Sequence, residues 1–391
     1  MTPSESIWTR AFGLLCLTEV LGYAHHFMLM PALPLYVTEI GGTAFTVGLV
    51  ISCFAVTSVV IRPLMGSLAD RWGEAQVIVG GMLILAFSVL LFLSPALQVL
   101  MLANALRGIG WAGINAGGYS MLARTAPLSR RGEASGYYSG MQNSATILFP
   151  AVALWLLESS FGGFSEVFLS AVALTVMGAG CGTLLVTLAP RGPVTPPVHN
   201  AAPCWRDLFN LVDRAVLLPS SLHFCLQLSL PSITSFMVLY ARESNISSIA
   251  WFYVVSGITS LIARPILGRV SDRIGRGQSL VLAFALQTAT LCSIVMVNHL
   301  TGLLVCGMFY ILTIAIGSST TLALAMERAD PERRGRSMAS FSMAYPLSNG
   351  VGGFLAGAAV DLFGFTWMYL MMAGLAAMGL AVTLSNWSKI K

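Results

Sequence analysis

VIRPLMGSLADRWG at 60–73 and IARPILGRVSDRIG at 262–275 are two copies of one stretch. Arg62, Pro63, Gly66, Asp70, Arg71 and Gly73 fall on Arg264, Pro265, Gly268, Asp272, Arg273 and Gly275 at a constant offset of 202. Working outward, PLSRRG at 127–132 returns as PERRG at 331–335, and LPLYVTE at 33–39 is similar to MVLYARE at 237–243. Each half holds six apolar segments, so the pattern is a six-span unit duplicated in parallel orientation.

Of the 391 residues, 56% are hydrophobic and 9% charged, against about one quarter charged in a soluble domain. A mean hydropathy of +0.79 excludes a single soluble core. The apolar segments, from 11–37 to 365–386, have the roughly 20-residue length that a bilayer core demands. The expected fold is an all-α polytopic membrane protein with 12 transmembrane helices in two pseudo-symmetric six-helix bundles. Residues 1–190 form the first bundle and 214–391 the second. Residues 191–213, with Pro193, Pro196, Pro197 and Pro203, form a cytoplasmic linker.

The formal charge of +5 is a topology signal and points to no nucleic-acid partner. With both termini cytoplasmic, Arg242 alone falls outside, and Arg62, Arg107 and Arg264 lie within spans or at their ends. The rest of the 21 basic residues lie on the inner side. The expected setting is a bacterial plasma or inner membrane, crossed many times. The seven cysteines hold no CxxC pair and mostly sit in apolar runs, so neither a disulfide framework, a metal site nor a cofactor is expected.

At the 60–73 motif and its echo, the chain resembles the major facilitator superfamily, whose loop 2–3 motif reads roughly G-x-x-x-D-R-x-G-R-R. The resemblance implies alternating-access transport by a monomer, with Arg62, Gly66, Asp70, Arg71, Gly73, Arg264, Gly268, Asp272, Arg273 and Gly275 as gating residues. Arg62, Gly66 and Asp70 share one helix face by spacing, and Gly66 is expected to permit close helix approach. Glu74 and Ala75 stand where basic residues are usual, whereas the second copy keeps Arg276, which implies a weaker N-terminal latch. LRGIGWAGINAGG at 106–118 resembles the family's R-x-x-x-G motif in the fourth helix, with Arg107 as the arginine associated with proton coupling. The fifth span lacks the G-P-x-x-G-G pattern of drug/proton antiporters.

Glu19 lies about two turns into the first apolar span, where a charged carboxylate costs about 2.5–3.5 kcal/mol on insertion scales. Tyr23 and His26, at i+4 and i+7, share its face. Desolvation favours a protonated carboxyl and a nearby arginine favours the carboxylate, so exposure or substrate arrival can load and unload a proton. The proton-coupling set is therefore Glu19, Arg107 and His26, with Arg107 as the electrostatic partner of Glu19. An offset of 204 sets His223 opposite Glu19 and Gln227 opposite Tyr23. The resemblance makes helices 1, 4, 7 and 10 cavity-lining and the substrate set Tyr23, His26, Asn115, His223, Gln227 and Tyr310. His25, about 100° round from His26, is read as packing against another helix. Trp111 and Trp251 are read as packing or interfacial residues.

The expected activity is proton-coupled export of a small anionic or zwitterionic metabolite or drug, with substrate, protons and lipid as partners. A looser resemblance, in the second span and in DLFGFTWMYLMMAG at 361–374, points to exporters of opine-type or other carboxylate metallophores. Import by symport and a non-transporting sensor are the alternatives. No H-E-x-x-H, G-x-S-x-G or Walker pattern supports an enzyme.

Overall fold

The computed structural model describes residues 6–127, 130–160, 162–188, 213–329 and 334–390. All regular structure among them is helical. The first half holds α1 (Arg10–Glu39), α2 (Ala44–Val60), α3 (Arg62–Trp72), α4 (Glu74–Leu90), α5 (Leu97–Thr125), α6 (Arg131–Glu158) and α7 (Phe164–Leu188). The second half begins with α8 (Leu217–Gln227), α9 (Leu230–Thr234), α10 (Met237–Glu243), α11 (Ala250–Ile274) and α12 (Arg276–Ile294). It continues through α13 (Leu300–Arg328), α14 (Arg334–Ser342), α15 (Ala344–Ser385) and α16 (Trp387–Ile390). The linker expected at 191–213 lies outside the described residues except for Asp213.

In a bilayer every backbone N–H and C=O must find a partner within its own segment, so apolar spans form helices. Nine helices among the described residues are long and apolar enough to cross. Three local features depart from a single straight span. α2 and α3 form one span bent by 48°, with Pro63 in the first turn of α3 removing a backbone donor at the bend. α15, at 42 residues, is about twice the length a bilayer needs, and Gly364 (φ 84°, ψ 174°) breaks it into two. α11 has a short apolar portion, Ala250–Ala263, followed by the polar second motif copy.

Both motif copies end on a glycine with positive φ, Gly73 at 101° and Gly275 at 89°. Their N–H groups close α3 and α11 by donating to Ala69 O and Ser271 O. A side chain is strained in that region of backbone space, so the glycine of each motif is required by the turn itself.

The chain divides into two compact units, Met1–Ala32 with Val56–Cys204, and Leu33–Ala55 with Trp205–Lys391. Phe12, Leu15, Ile78, Met121 and Tyr138 are core residues of the first. Leu222, Leu226, Phe284 and Ile316 serve the second. Leu33–Ala55 joins the second unit because α2 lies on α15 along a seam of small residues. Ser52 Oγ donates to Gly350 O at 2.8 Å, and Asp361 Oδ2 accepts from the Phe45 N–H at 3.1 Å. A Cβ on Gly48 would strike the Gly353 carbonyl.

Candidate functional site

Within the first unit, α1 and α5 cross at a buried polar cluster. Arg107 (4% exposed) donates through Nε to His25 Nε2 at 3.3 Å, and its NH2 nitrogen lies 3.3 Å from His26 Nδ1. A third contact runs to Asn104 Oδ1, one turn back along α5. His26 stacks on Trp111 at 4.3 Å between ring centroids, and Tyr23 packs against the same indole at 4.7 Å. Tyr23 OH donates to Asn115 Oδ1 at 2.9 Å, and Asn115 Nδ2 donates to Trp111 O. The arrangement presents a guanidinium among imidazole, indole and phenol rings, chemistry suited to an aromatic or carboxylate-bearing ligand.

Glu19 is 1% exposed and sits elsewhere on α1. Gln142 Nε2 of α6 donates to its Oε2 at 3.0 Å, and Oε1 faces the Tyr138 hydroxyl of the same helix. The expected Glu19–Arg107 pairing is therefore not formed. Arg107 engages His25 and His26, six and seven residues further along α1, a rise of about 9–10 Å. One further expectation is corrected here. His25 joins His26 on Arg107, because a long arginine side chain spans more helix circumference than one face. Trp111 packs within the cluster and Trp251 is 59% exposed, neither departing from a packing or interfacial role.

In the second unit, His223 Nδ1 lies 2.9 Å from Thr321 Oγ1, and Gln227 Nε2 donates to Ser318 Oγ at 3.1 Å. The second contact is the repeat equivalent of Tyr23–Asn115, so both units cross-link their first and fourth spans at the same place. Tyr310 is fully buried, 2.9 Å from Ser229 Oγ, which also accepts from Gln287 Nε2.

Among the residues expected to gate, Gly66 departs from the close helix approach expected of it. A Cβ on Gly66 would meet nothing within 4 Å among the described residues. The close approach lies instead between α4 and α5, where a Cβ on Gly110 would sit 2.7 Å from Gly81 O. Asp70 and Arg71 are exposed, and Asp70 has no polar partner among the described residues. Arg62 is half-buried on α3, and Arg273 is exposed at the end of α11. The side chains of Arg264, Gly268 and Asp272 lie outside the described residues.

Glu74, which stands where a basic residue is usual in the family, has an ion-pair partner of its own. Its carboxylate meets Arg124 of α5 at 2.6 Å, and at the equivalent place Arg276 meets Glu327 of α13 at 3.0 Å. The two pairs join corresponding helix ends with their charges exchanged. Glu74 opens α4 and Arg124 closes α5, where the helix dipoles favour them; Arg276 opens α12 and Glu327 lies in the last turn of α13, where the dipoles oppose them. Sequence reasoning missed this because Arg124 lies 50 residues from Glu74. It also missed Tyr138 and Gln142, whose i, i+4 spacing in GYYSGMQN placed them on one face of α6 without saying which helix that face meets.

A duplicated bundle of apolar helices with charged and polar side chains buried between spans defines a membrane transporter rather than an enzyme. The family model of the Major Facilitator Superfamily matches residues 15–326 and 220–386, and the chain belongs to that family. The multidrug resistance protein MdtG of Citrobacter koseri is 28% identical over 96% of this chain and 94% of its own length. The quinolone resistance protein NorA of Staphylococcus aureus is 29% identical over 34% of each chain. Among solved structures, a POT family transporter in complex with 5-aminolevulinic acid superposes with a TM-score of 0.82 at 12% identity, covering 100% of this chain and 99% of that one.

Proposed function

We propose that this chain exports small amphipathic organic molecules, anionic or zwitterionic ones among them, in exchange for protons, with Glu19 as the proton site. The observation that carries the reading is the state of Glu19: buried, held by a neutral amide, facing a phenol, and outside any ion pair among the described residues. A carboxyl in a fixed ion pair has its charge committed, whereas one held by an amide can exchange a proton. Arg107, His26, Tyr23, Trp111 and Asn115 form a separate substrate-contacting cluster. The direction is argued from the relatives, whose names describe drug resistance. In this reading the protein acts as a monomer in a bacterial inner membrane with both termini cytoplasmic.

The test uses everted membrane vesicles holding an acid interior, with a pH-sensitive dye and a panel of amphipathic drugs and carboxylate chelators. At least one compound collapses the gradient in wild type and leaves it intact in Glu19→Gln. Compounds shown independently to be transported, yet leaving the gradient unchanged in wild type, would overturn proton exchange.

A further inference from the structure

The duplication makes the surroundings of Glu19 readable by comparison with its counterpart. At offsets of 203–204, Glu19 corresponds to His223, Gly118 to Thr321 and Tyr138 to Phe341. In the second unit this trio is self-contained: His223 Nδ1 is 2.9 Å from Thr321 Oγ1, and its ring packs 4.9 Å from that of Phe341. In the first unit all three positions differ. An acid replaces the imidazole, bare Cα replaces the threonine side chain, and a phenol replaces the plain ring.

The consequences fit together. A Cβ on Gly118 would collide with both Glu19 Oε1 and Tyr138 OH, so the two oxygens face one small space that only glycine leaves open. Glu19 is 1% and Tyr138 0% exposed, and each of these two oxygens has no polar partner besides the other. Buried polar atoms left unmatched are costly, so a pair of them facing each other points to a role. One turn along α6, Gln142 fixes the other carboxyl oxygen at 3.0 Å. A phenol can donate to a carboxylate and accept from a carboxylic acid, so it serves both protonation states without moving.

We infer that Tyr138 and Gln142 are the positioning residues of the proton site, with the Tyr138 hydroxyl addressing Glu19 Oε1 in the space kept open by Gly118. The inference rests on the reading of Glu19 as the proton carrier. The second half, with Thr321 and Phe341 in place of the glycine and the phenol, lacks this arrangement.

The test is infrared spectroscopy of the full chain in lipid vesicles, following the protonated-carboxyl band across pH and assigning the Glu19 component by its loss in Glu19→Gln. Tyr138→Phe, which installs the residue of the second half, displaces the Glu19 midpoint by about one pH unit, the tenfold change in proton affinity that one charge-assisted hydrogen bond supplies. The sign of the displacement reports which protonation state the phenol binds more strongly. Gly118→Ala, which fills the shared space, displaces it as well. Tyr119→Phe, whose ring packs edge-on against Tyr138 at 5.5 Å, leaves it in place. A Glu19 band with an unmoved midpoint in both Tyr138→Phe and Gly118→Ala overturns the positioning role alone. Absence of any titrating band attributable to Glu19 overturns both this inference and the reading beneath it.

Discussion

Exchanging the charges of Arg276 and Glu327 should stabilise the protein. Their contact at 3.0 Å joins the start of α12 to the last turn of α13, and each charge stands at the helix end that repels it. In the double variant Arg276→Glu/Glu327→Arg the ion pair remains and both helix-end interactions change sign. With Glu327 53% exposed and Arg276 23% exposed, solvent screening holds each helix-end interaction to about 0.3 kcal/mol at the low end of its range. Reversing two such interactions gives about 1 kcal/mol, or about 2–4 °C in melting temperature for a bundle of this size. Thermal unfolding of purified protein in detergent measures it, and the gain should shrink in high salt. The mirror variant Glu74→Arg/Arg124→Glu should lose a similar amount. A double exchange that destabilises the second half, or both exchanges moving the melting temperature the same way, would refute the argument from helix dipoles.

Three other expectations follow from the packing. In a double-mutant cycle of Glu19→Gln and Arg107→Gln, the coupling should not exceed about 1.7 kcal/mol, the interaction of unit charges at about 10 Å in an effective dielectric near 20; 3 kcal/mol or more in thermal unfolding would signal a contact pair. Gly66→Ala should be neutral or stabilising by up to about 1 kcal/mol, since its Cβ meets open space, whereas Gly48→Val should cost about 1–3 kcal/mol by overpacking against Gly353. Both are read by melting temperature. Trp111→Ala should weaken binding of an aromatic transported compound by about 3–10-fold in equilibrium binding, the worth of one aromatic pair.

The architecture was legible because it is written twice. The 202-residue echo of 60–73, the long apolar runs and the bias of basic residues each follow from constraints a bilayer imposes on any chain. Glu19 was legible for the same reason, since a carboxylate in an apolar span stands out by its cost. What the sequence concealed was which helix faces meet. Periodicity placed Glu19, Tyr23 and His26 on one face of α1 but was silent on whether Arg107 of α5 or Gln142 of α6 would reach the acid. Gly118 acts through the side chain it lacks, which pattern reading cannot weigh without the neighbours. The partner of Glu74, Arg124, comes from the far end of another helix, which spacing along the chain does not show.

The central claim is that Glu19 carries the proton that drives transport, separately from the Arg107 cluster. The most direct measurement compares wild type and Glu19→Gln in proteoliposomes, using a compound identified in the vesicle screen, under equilibrium exchange and under an imposed pH gradient. The account predicts that Glu19→Gln keeps exchange of labelled for unlabelled compound and loses gradient-driven accumulation. Accumulation at the wild-type level in Glu19→Gln would contradict it.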